Sequence, residues 1–354
     1  NISTYFAPGL VPLEFLQKYR YLDPSIPYIG GLKIRFMPIV MAVTYLCPLD
    51  ILGSLVFFRI MEAIKGGIVH RTGFSVGAPG QQITGEYLIF LENYGALMFI
   101  AMWAIWVARR HLRELWRLAR TGEGDRHEVR RYRLAWAGLM LSTLYVLVWA
   151  MSLGINLPLA AGVFVLMALT LLVTTKLIAA TGFAYLLPYR PHLKGDSFVE
   201  EIIGTIKVPA RDLTAMKIFT SKAFFGTFLI PAWPAITHML RMFSLNRQPG
   251  WVTAAVFIAF PVGFVVAAVT LIDLVYTEGG AMLYVSHFRI NLVYEQISHI
   301  LHNPTVFDWG KLGVFLFGWT EAGVLTFLRA RFHWFPLHPV GLAFEGTFGP
   351  DLYW

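Results

Sequence analysis

The chain alternates between long apolar runs and short clusters of charged residues. Six runs are close to the roughly 20 residues that a helix needs to cross the hydrocarbon core of a bilayer. They cover residues 37–64, 87–108, 134–154, 158–182, 251–276 and 311–329. The regular apolar and polar alternation that is typical of barrel strands is absent from them. The pattern therefore predicts an all-α fold, a polytopic integral membrane helix bundle of about six spans.

The remaining segments complete the predicted organisation. Residues 216–243 are apolar but also contain lysine, histidine and arginine around Pro231 and Pro234. This composition favours an interfacial or re-entrant helical pair over a seventh span. The predicted order is an interfacial segment at 1–36, four spans at 37–182, a cytoplasmic or interfacial connection at 183–250, two spans with an outer loop at 251–330, and a second interfacial segment at 331–354.

Both ends of the chain suggest a longer protein. The sequence begins at Asn1 without a methionine, and it ends at Trp354 just after an aromatic, glycine-rich stretch. We therefore expect further sequence at both ends.

The distribution of charge predicts an orientation. Nine arginines and only four acidic residues lie in the segment 109–133. Such an excess marks the cytoplasmic side of a membrane protein. The same orientation places the basic connection 183–249, and Arg329 with Arg331, on the cytoplasmic side. The pattern is typical of a protein of the bacterial cytoplasmic (inner) membrane.

The composition supports a membrane protein and argues against a nucleic-acid-binding protein. Hydrophobic residues make up 56% of the chain and charged residues 14%, whereas soluble domains have about 25% charged residues. The net charge of +8 lies beside apolar runs rather than on a soluble domain, so we expect no nucleic-acid partner. The expected partners are the lipid bilayer and, as an alternative that stays open, other membrane subunits.

Four of these arginines recur at helical spacing, at Arg109, Arg113, Arg117 and Arg120. They suit an amphipathic extension of the second span among anionic lipid headgroups. The plainer interpretation is a topology signal at a lipid-facing helix end. A docking surface for a partner is the alternative.

Charged side chains deep within a span are costly, so each is a functional candidate. Glu321 lies midway along the sixth predicted span, and Asp50 lies inside the first, two residues after Pro48. A proline breaks the helical hydrogen bonding and frees carbonyl groups beside that acid. Both acids are candidates for substrate binding or proton coupling, with a satisfied interhelical hydrogen bond as the alternative.

Three further charges are secondary candidates for the same role. Arg59 and Glu62 are three residues apart and can pair on one helical face, and we favour a structural salt bridge. Lys176 lies in the inner part of the fourth predicted span, where its ammonium can reach the membrane surface. Glu92 lies toward the outer end of the second span and is weak evidence for a site.

Metal, cofactor and enzyme functions have little support in the sequence. His299 and His302, with Glu295 four residues before the first, are weak metal candidates, and solvated histidines are the simpler interpretation. The only candidates for an enzyme, by proximity in sequence, are His333, His338 and Glu345. Metalloprotease, haem-attachment, phosphate-loop and nucleophile-elbow motifs are absent. We therefore predict no cofactor and do not expect an enzyme.

Three stretches carry a family resemblance. They are PIVMAVTYLCPLDILGSLVFFRIMEAI, WVARRHLRELWRLAR followed by YRLAWAGLMLS, and FPLHPVGLAF. They resemble a large bacterial and archaeal family of uncharacterised polytopic membrane proteins, built from two adjoining domains of unknown function and loosely similar to oligopeptide transporters. The resemblance implies the fold class and leaves the activity open.

Two functions follow as expectations. The first is a membrane transport protein that moves a small polar or peptide-like solute through a polar site at the membrane midplane. The alternative is a non-catalytic structural or scaffolding subunit of a larger membrane complex, for which aromatic residues, 15% of the chain, provide surface.

Overall fold

The computed structural model describes residues 20–21, 33–34, 44–45, 47–181, 195–220, 251–279 and 284–345. Two antiparallel two-residue pairs are the strands found in these ranges. They join β1 (Arg20–Tyr21) to β2 (Lys33–Ile34), and β3 (Ser75–Val76) to β4 (Ile83–Thr84). Helices dominate the rest, so the all-α prediction is confirmed for the described chain.

The described ranges contain ten helices. They are α1 (Leu49–Thr72), α2 (Glu86–Thr121), α3 (Arg126–Ser152), α4 (Leu157–Thr181), α5 (Gly195–Phe198), α6 (Ala210–Thr220), α7 (Trp251–Glu278), α8 (Tyr284–His302), α9 (Trp309–Arg331) and α10 (Pro339–Glu345). A π-helical turn, Val199–Ile203, directly continues α5.

Four helices, α2, α3, α4 and α9, are long and apolar enough to cross a membrane, judged by length and composition among the described residues. In α7 the apolar helical stretch is shorter than a candidate span and covers Pro261–Thr277. Helix α1 has sufficient length, but it carries charges at five positions, Asp50, Arg59, Glu62, Lys65 and Arg71. The prediction of a helical protein with membrane-length apolar helices is thus confirmed, and the count of six spans remains a prediction.

The bounds of α1 correct the first predicted span. The apolar run predicted a helix over 37–64, whereas α1 begins at Leu49 and ends at Thr72. Pro48 stands at its N-cap, and Gly73 ends it with a left-handed φ of 62°. Asp50 therefore lies in the first turn of the helix and not deep within a span. Residues 37–43 of that prediction lie outside the described residues.

The arginine-rich extension of α2 is helical, as the spacing of its arginines predicted. Helix α2 continues to Thr121, and α3 starts after Asp125, whose Oδ1 accepts a hydrogen bond from the His127 backbone N–H at 3.3 Å. Arg133 of α3 donates from Nε to the Ala119 carbonyl of α2 at 2.6 Å. The two helices form an antiparallel hairpin here. The membrane-surface or partner role of the arginines remains a prediction.

The chain divides into two compact units. The first comprises residues 1–101, 176–193 and 309–354, and its core includes Phe58, Ala96, Ala322, Leu325 and Leu342. The second comprises residues 102–175 and 194–308, and its core includes Val163, Leu213, Met216, Phe219 and Ile300. Of the predicted re-entrant segment 216–243, the structure describes the part up to Thr220, which is the buried end of α6. The remainder of that segment lies outside the described residues.

Candidate functional site

Two glycines let α2 and α9 cross in direct backbone contact. A Cβ atom added at Gly95 would lie 1.9 Å from the Phe315 carbonyl oxygen, and one at Gly318 would lie 1.8 Å from the Glu92 carbonyl oxygen. No larger residue fits at either position, and close approach through small residues is typical of helix packing in membranes. Glu92 precedes Gly95 by three residues and Glu321 follows Gly318 by three. The crossing therefore brings both acids to the same place.

A lysine from a third helix joins these two acids. Lys65 of α1 places its Nζ 2.5 Å from Oε1 of Glu92 and 3.5 Å from Oε2 of Glu321. The Glu92 side chain is 5% exposed, whereas those of Lys65 and Glu321 keep 29% and 25%. We call Lys65, Glu92 and Glu321 the Glu-Lys cluster. Within the cluster Glu92 is buried, whereas Lys65 and Glu321 are partly exposed.

The Glu-Lys cluster has two acids for one base. With Lys65 and both acids ionised, the cluster carries one uncompensated negative charge, which is costly in a buried setting. One bound proton would make the cluster neutral.

Two more charge clusters lie along α1. Arg59 contacts Glu62 at 3.1 Å and Glu345 of α10 at 3.4 Å, so the pairing expected from the spacing of Arg59 and Glu62 is present. Asp50 contacts Arg329 of α9 at 2.5 Å. From Asp50 to Lys65 the helix rises about 22 Å. Helix α1 thus carries paired charges from its first turn to Lys65.

The surroundings of Glu345, which shares Arg59 with Glu62, strongly change its pKa. Burial raises the pKa of Glu345 well above its ordinary value, and the hydrogen bond and negative charge of Glu62 raise that pKa further, against the lowering effect of Arg59. Glu345 and Glu62 therefore share Arg59 in the way that the two acids of the Glu-Lys cluster share Lys65.

Helix α10 is attached to α1 through the segment that begins at His338. The His338 backbone N–H donates to Ser54 Oγ at 2.7 Å, and Ser54 Oγ donates to the Asp50 carbonyl at 2.6 Å. Gly341 packs against the Ser54 backbone, where a Cβ would lie 2.8 Å from the carbonyl oxygen. His338 also caps α10, because its Nδ1 accepts the Val340 backbone N–H at 3.0 Å. This capping bond requires a neutral imidazole with its proton on Nε2.

The capping bond makes stability depend on pH. Burial, together with the positive charge of Arg329, lowers the pKa of His338 to about 4 from an ordinary 6.5. As the pH falls below 6.5, the unfolded chain binds a proton at this residue before the folded chain does, so stability decreases between pH 6.5 and about 4. We expect the unfolding temperature to fall less between pH 7.5 and 5.0 in His338→Asn than in wild type, because asparagine caps without titrating. Equal falls in both proteins would contradict this role, and His333→Asn is the exposed control.

A family assignment follows from comparison with known proteins. Residues 15–354 match the model of a family of unknown function, DUF6785. The chain belongs to this family. The resemblance to an uncharacterised family is therefore confirmed, and nothing in the comparisons bears on a likeness to oligopeptide transporters. The searches of curated proteins and of solved structures returned no match.

In this DUF6785 member Lys176 and the predicted metal candidates lie on helices other than those of the Glu-Lys cluster. Lys176 is exposed on α4, and the candidates Glu295, His299 and His302 are exposed on α8. Within the described ranges, no three metal-ligating side chains converge. His338 and Glu345 stand at opposite ends of α10 in different contacts, and His333 is exposed.

The sequence reasoning found one member of the cluster and missed two. Glu321 was predicted, whereas Glu92 was judged weak evidence and Lys65 fell just outside the predicted span. A signal existed for Lys65, because Arg59, Glu62 and Lys65 recur at intervals of three along one side of a helix. The sequence had no comparable signal for Glu92, since its partners come from other helices.

Proposed function

We propose that the chain is a membrane transport protein that moves a small polar or peptide-like solute, coupled to protons, at the Glu-Lys cluster. The observation that carries the proposal is the convergence of Lys65, Glu92 and Glu321 from three helices on one largely buried position. Ionisable groups held inside a membrane bundle are costly, and they mark substrate and proton pathways by default.

The membrane arrangement belongs to the same proposal. Helices α1, α2, α3, α4, α7 and α9 correspond to the six predicted spans, with segment 109–133 on the cytoplasmic side of a bacterial inner membrane. In this arrangement four charges of α1, at Asp50, Arg59, Glu62 and Lys65, face α2, α9 and α10 rather than lipid, because each has a partner on those helices or on α1 itself. Pairing inside the protein lowers the cost of keeping α1 in a bilayer.

The chemistry of the cluster suits a zwitterion. The ammonium of Lys65 can pair with a solute carboxylate, and the carboxylate of Glu321 can pair with a solute ammonium. No hydrogen bond from the described residues reaches Glu321 Oε2. A proton on Glu92 or Glu321 would compete with the solute ammonium for the same negative charge, which gives a direct route to proton coupling.

The other predicted polar residues have supporting positions in this proposal. Arg59 and Glu62 form the middle of the charged line along α1, and Asp50 forms its beginning. Asp50 already has Arg329 as its partner at 2.5 Å, so we assign Asp50 a structural pairing and place proton coupling at Glu92 and Glu321.

Transport in liposomes tests the proposal. The probe is a mixture of dipeptides and tripeptides, offered with an inward proton gradient, with uptake measured by mass spectrometry and proton entry by an enclosed pH dye. We expect uptake with concurrent proton entry in wild type, and a loss of about tenfold or more in Glu92→Gln and Glu321→Gln, because each variant removes an ionisable group from the proton site.

Glu123→Gln, on the exposed turn between α2 and α3, is the matched control and should keep wild-type uptake. Folded Glu92→Gln and Glu321→Gln proteins with wild-type uptake would remove the site assignment. Wild-type protein that is correctly inserted yet moves neither peptides nor protons would contradict transport of this solute class.

One observation favours a second candidate, the scaffolding subunit. Almost none of the apolar stretch of α3 is buried within the described chain, and its exposed residues include Leu141 and Tyr145. Either lipid or the helices of another subunit would cover that face. Purification from native membranes in a mild detergent, with stoichiometric partner chains retained, would support the scaffold.

A further inference from the structure

The second unit contains its own buried group of one lysine and two acids. Lys217 of α6 places its Nζ 3.0 Å from Oδ2 of Asp196 on α5, and it also contacts Oε1 of Glu200 on the π-helical turn. The side chains of Lys217 and Asp196 are 9% and 5% exposed, and that of Glu200 keeps 22%. We call these three residues the Lys217 cluster. Neither the sequence pattern nor the family assigns it a role.

Tight backbone packing fixes the position of these acids. A Cβ atom at Gly195 would lie 2.7 Å from the Val163 carbonyl of α4, so glycine is required next to Asp196. The π-helical turn ends at Gly204, which has a φ of 87°. The carbonyl of Glu200 accepts a hydrogen bond from Thr305 Oγ1 at 2.7 Å. Single π-helical turns in otherwise α-helical segments occur frequently at functional sites.

The charges of the Lys217 cluster do not balance. Two ionised acids and one lysine leave one negative charge in a mostly buried position, and the described residues offer no hydrogen bond to Oδ1 of Asp196, which is also buried. An unpartnered, buried carboxylate oxygen is costly unless something binds it. The cluster therefore needs one further positive charge or proton.

The raised pKa of Glu200 agrees with the excess of one negative charge in the cluster. Burial raises it to about 7, Lys217 opposes the rise, and Asp196 and Glu201 add to it. The charged groups that act on Glu200 are thus Lys217 from α6, Asp196 from α5 and Glu201 from its own turn.

We propose that the Lys217 cluster is an exchangeable proton-binding site. A proton from solvent water binds the partly exposed carboxylate of Glu200, where it neutralises the excess charge. Release returns the same proton to water, so the site needs no co-reactant. The inference stands on this cluster alone and does not require transport at the Glu-Lys cluster.

Proton uptake measures the site directly. Detergent-solubilised protein is titrated from pH 8 to pH 6, and the protons bound per chain are compared between variants. A group with a pKa of about 7 binds about 0.8 proton over this range. We therefore expect Glu200→Gln to bind about 0.8 proton fewer than wild type, and Glu123→Gln, on the exposed turn between α2 and α3, to match wild type.

Two further variants test the assignment without removing Glu200. Asp196→Asn takes away a neighbouring negative charge, so the uptake should move to lower pH. Lys217→Met takes away the positive charge, so the uptake should move to higher pH. Infrared difference spectra between pH 8 and pH 6 should show a protonated-carboxyl band that Glu200→Gln lacks.

Three outcomes would overturn the proposal. Wild-type uptake in folded Glu200→Gln is the first, and an unshifted titration in both Asp196→Asn and Lys217→Met is the second. The third comes from measuring proton uptake in sodium chloride and in choline chloride at the same ionic strength. If sodium suppresses the uptake of wild type but not of Glu200→Gln, the cluster is a metal-cation site instead. A failure of dipeptide uptake in liposomes leaves all three measurements unaffected, so the two proposals are tested separately.

Discussion

Lys65→Met should lower the free energy of unfolding by about 3–5 kcal/mol, the range for breaking a buried ion pair. The substitution keeps the volume of the side chain but leaves Glu92, whose side chain is 5% exposed, without its cation at 2.5 Å. It also leaves two acids facing each other with no base between them. The measurement is the midpoint of unfolding in mixed micelles, followed by far-ultraviolet circular dichroism.

A second substitution separates lost charge balance from lost packing. The double variant Lys65→Met with Glu92→Gln removes the excess charge and should recover most of the stability. Lys207→Met, at an exposed lysine, should have little effect. If Lys65→Met unfolds at the wild-type midpoint, the lysine does not stabilise the cluster. If the double variant shows no recovery, packing rather than charge explains the loss.

Gly318→Ala should separate α2 from α9 and disrupt the Glu-Lys cluster. The new Cβ would lie 1.8 Å from the Glu92 carbonyl oxygen, and the two nearest neighbours are both backbone atoms. Backbone cannot rotate away as a side chain can, so the helices must move apart. Overpacking of this kind costs about 1–3 kcal/mol or more. We expect a lower unfolding midpoint than in wild type, measured in mixed micelles by far-ultraviolet circular dichroism.

Gly313 provides the matched control on the same helix. Nothing lies within 4 Å of a Cβ at Gly313, so Gly313→Ala should be neutral or stabilise by about 0.5–1 kcal/mol through better helix propensity. A Gly318→Ala protein as stable as Gly313→Ala would show that α2 and α9 do not cross in backbone contact.

Helix positions could be predicted where apolarity alone determines them. The runs 87–108, 134–154, 158–182 and 311–329 lie almost wholly within α2, α3, α4 and α9. The first run, 37–64, overlaps α1 but does not match its bounds, because Pro48 stands at the N-cap and the helix continues past Lys65 to Thr72. Two charges of α1 pair with residues 279 and 286 positions later in the chain, Arg329 and Glu345, and a local window of sequence gives no information about such partners.

Some residues of the candidate site could likewise be predicted from the sequence, and others could not. The pairing of Arg59 with Glu62 follows from helical spacing, and Glu321 was found because it is the lone acid in an apolar run. Glu92 was undervalued since its depth depends on where α1 and α9 pack against it. Gly95 and Gly318 gave no signal either, because a glycine in a long apolar helix has many explanations until its neighbours are known.

Some charges of α1 are synthesised long before the residues with which they pair. Arg59 and its partner Glu345 are 286 residues apart, and a ribosome that adds about 5–20 residues each second needs roughly 15 to 60 seconds to cover that distance. During this interval α1 has left the ribosome while its partners on α9 and α10 do not yet exist. A chain truncated before α9 therefore keeps α1 permanently in that incomplete condition. Until α9 and α10 are synthesised, Asp50 lacks Arg329, and Arg59 has Glu62 but not Glu345.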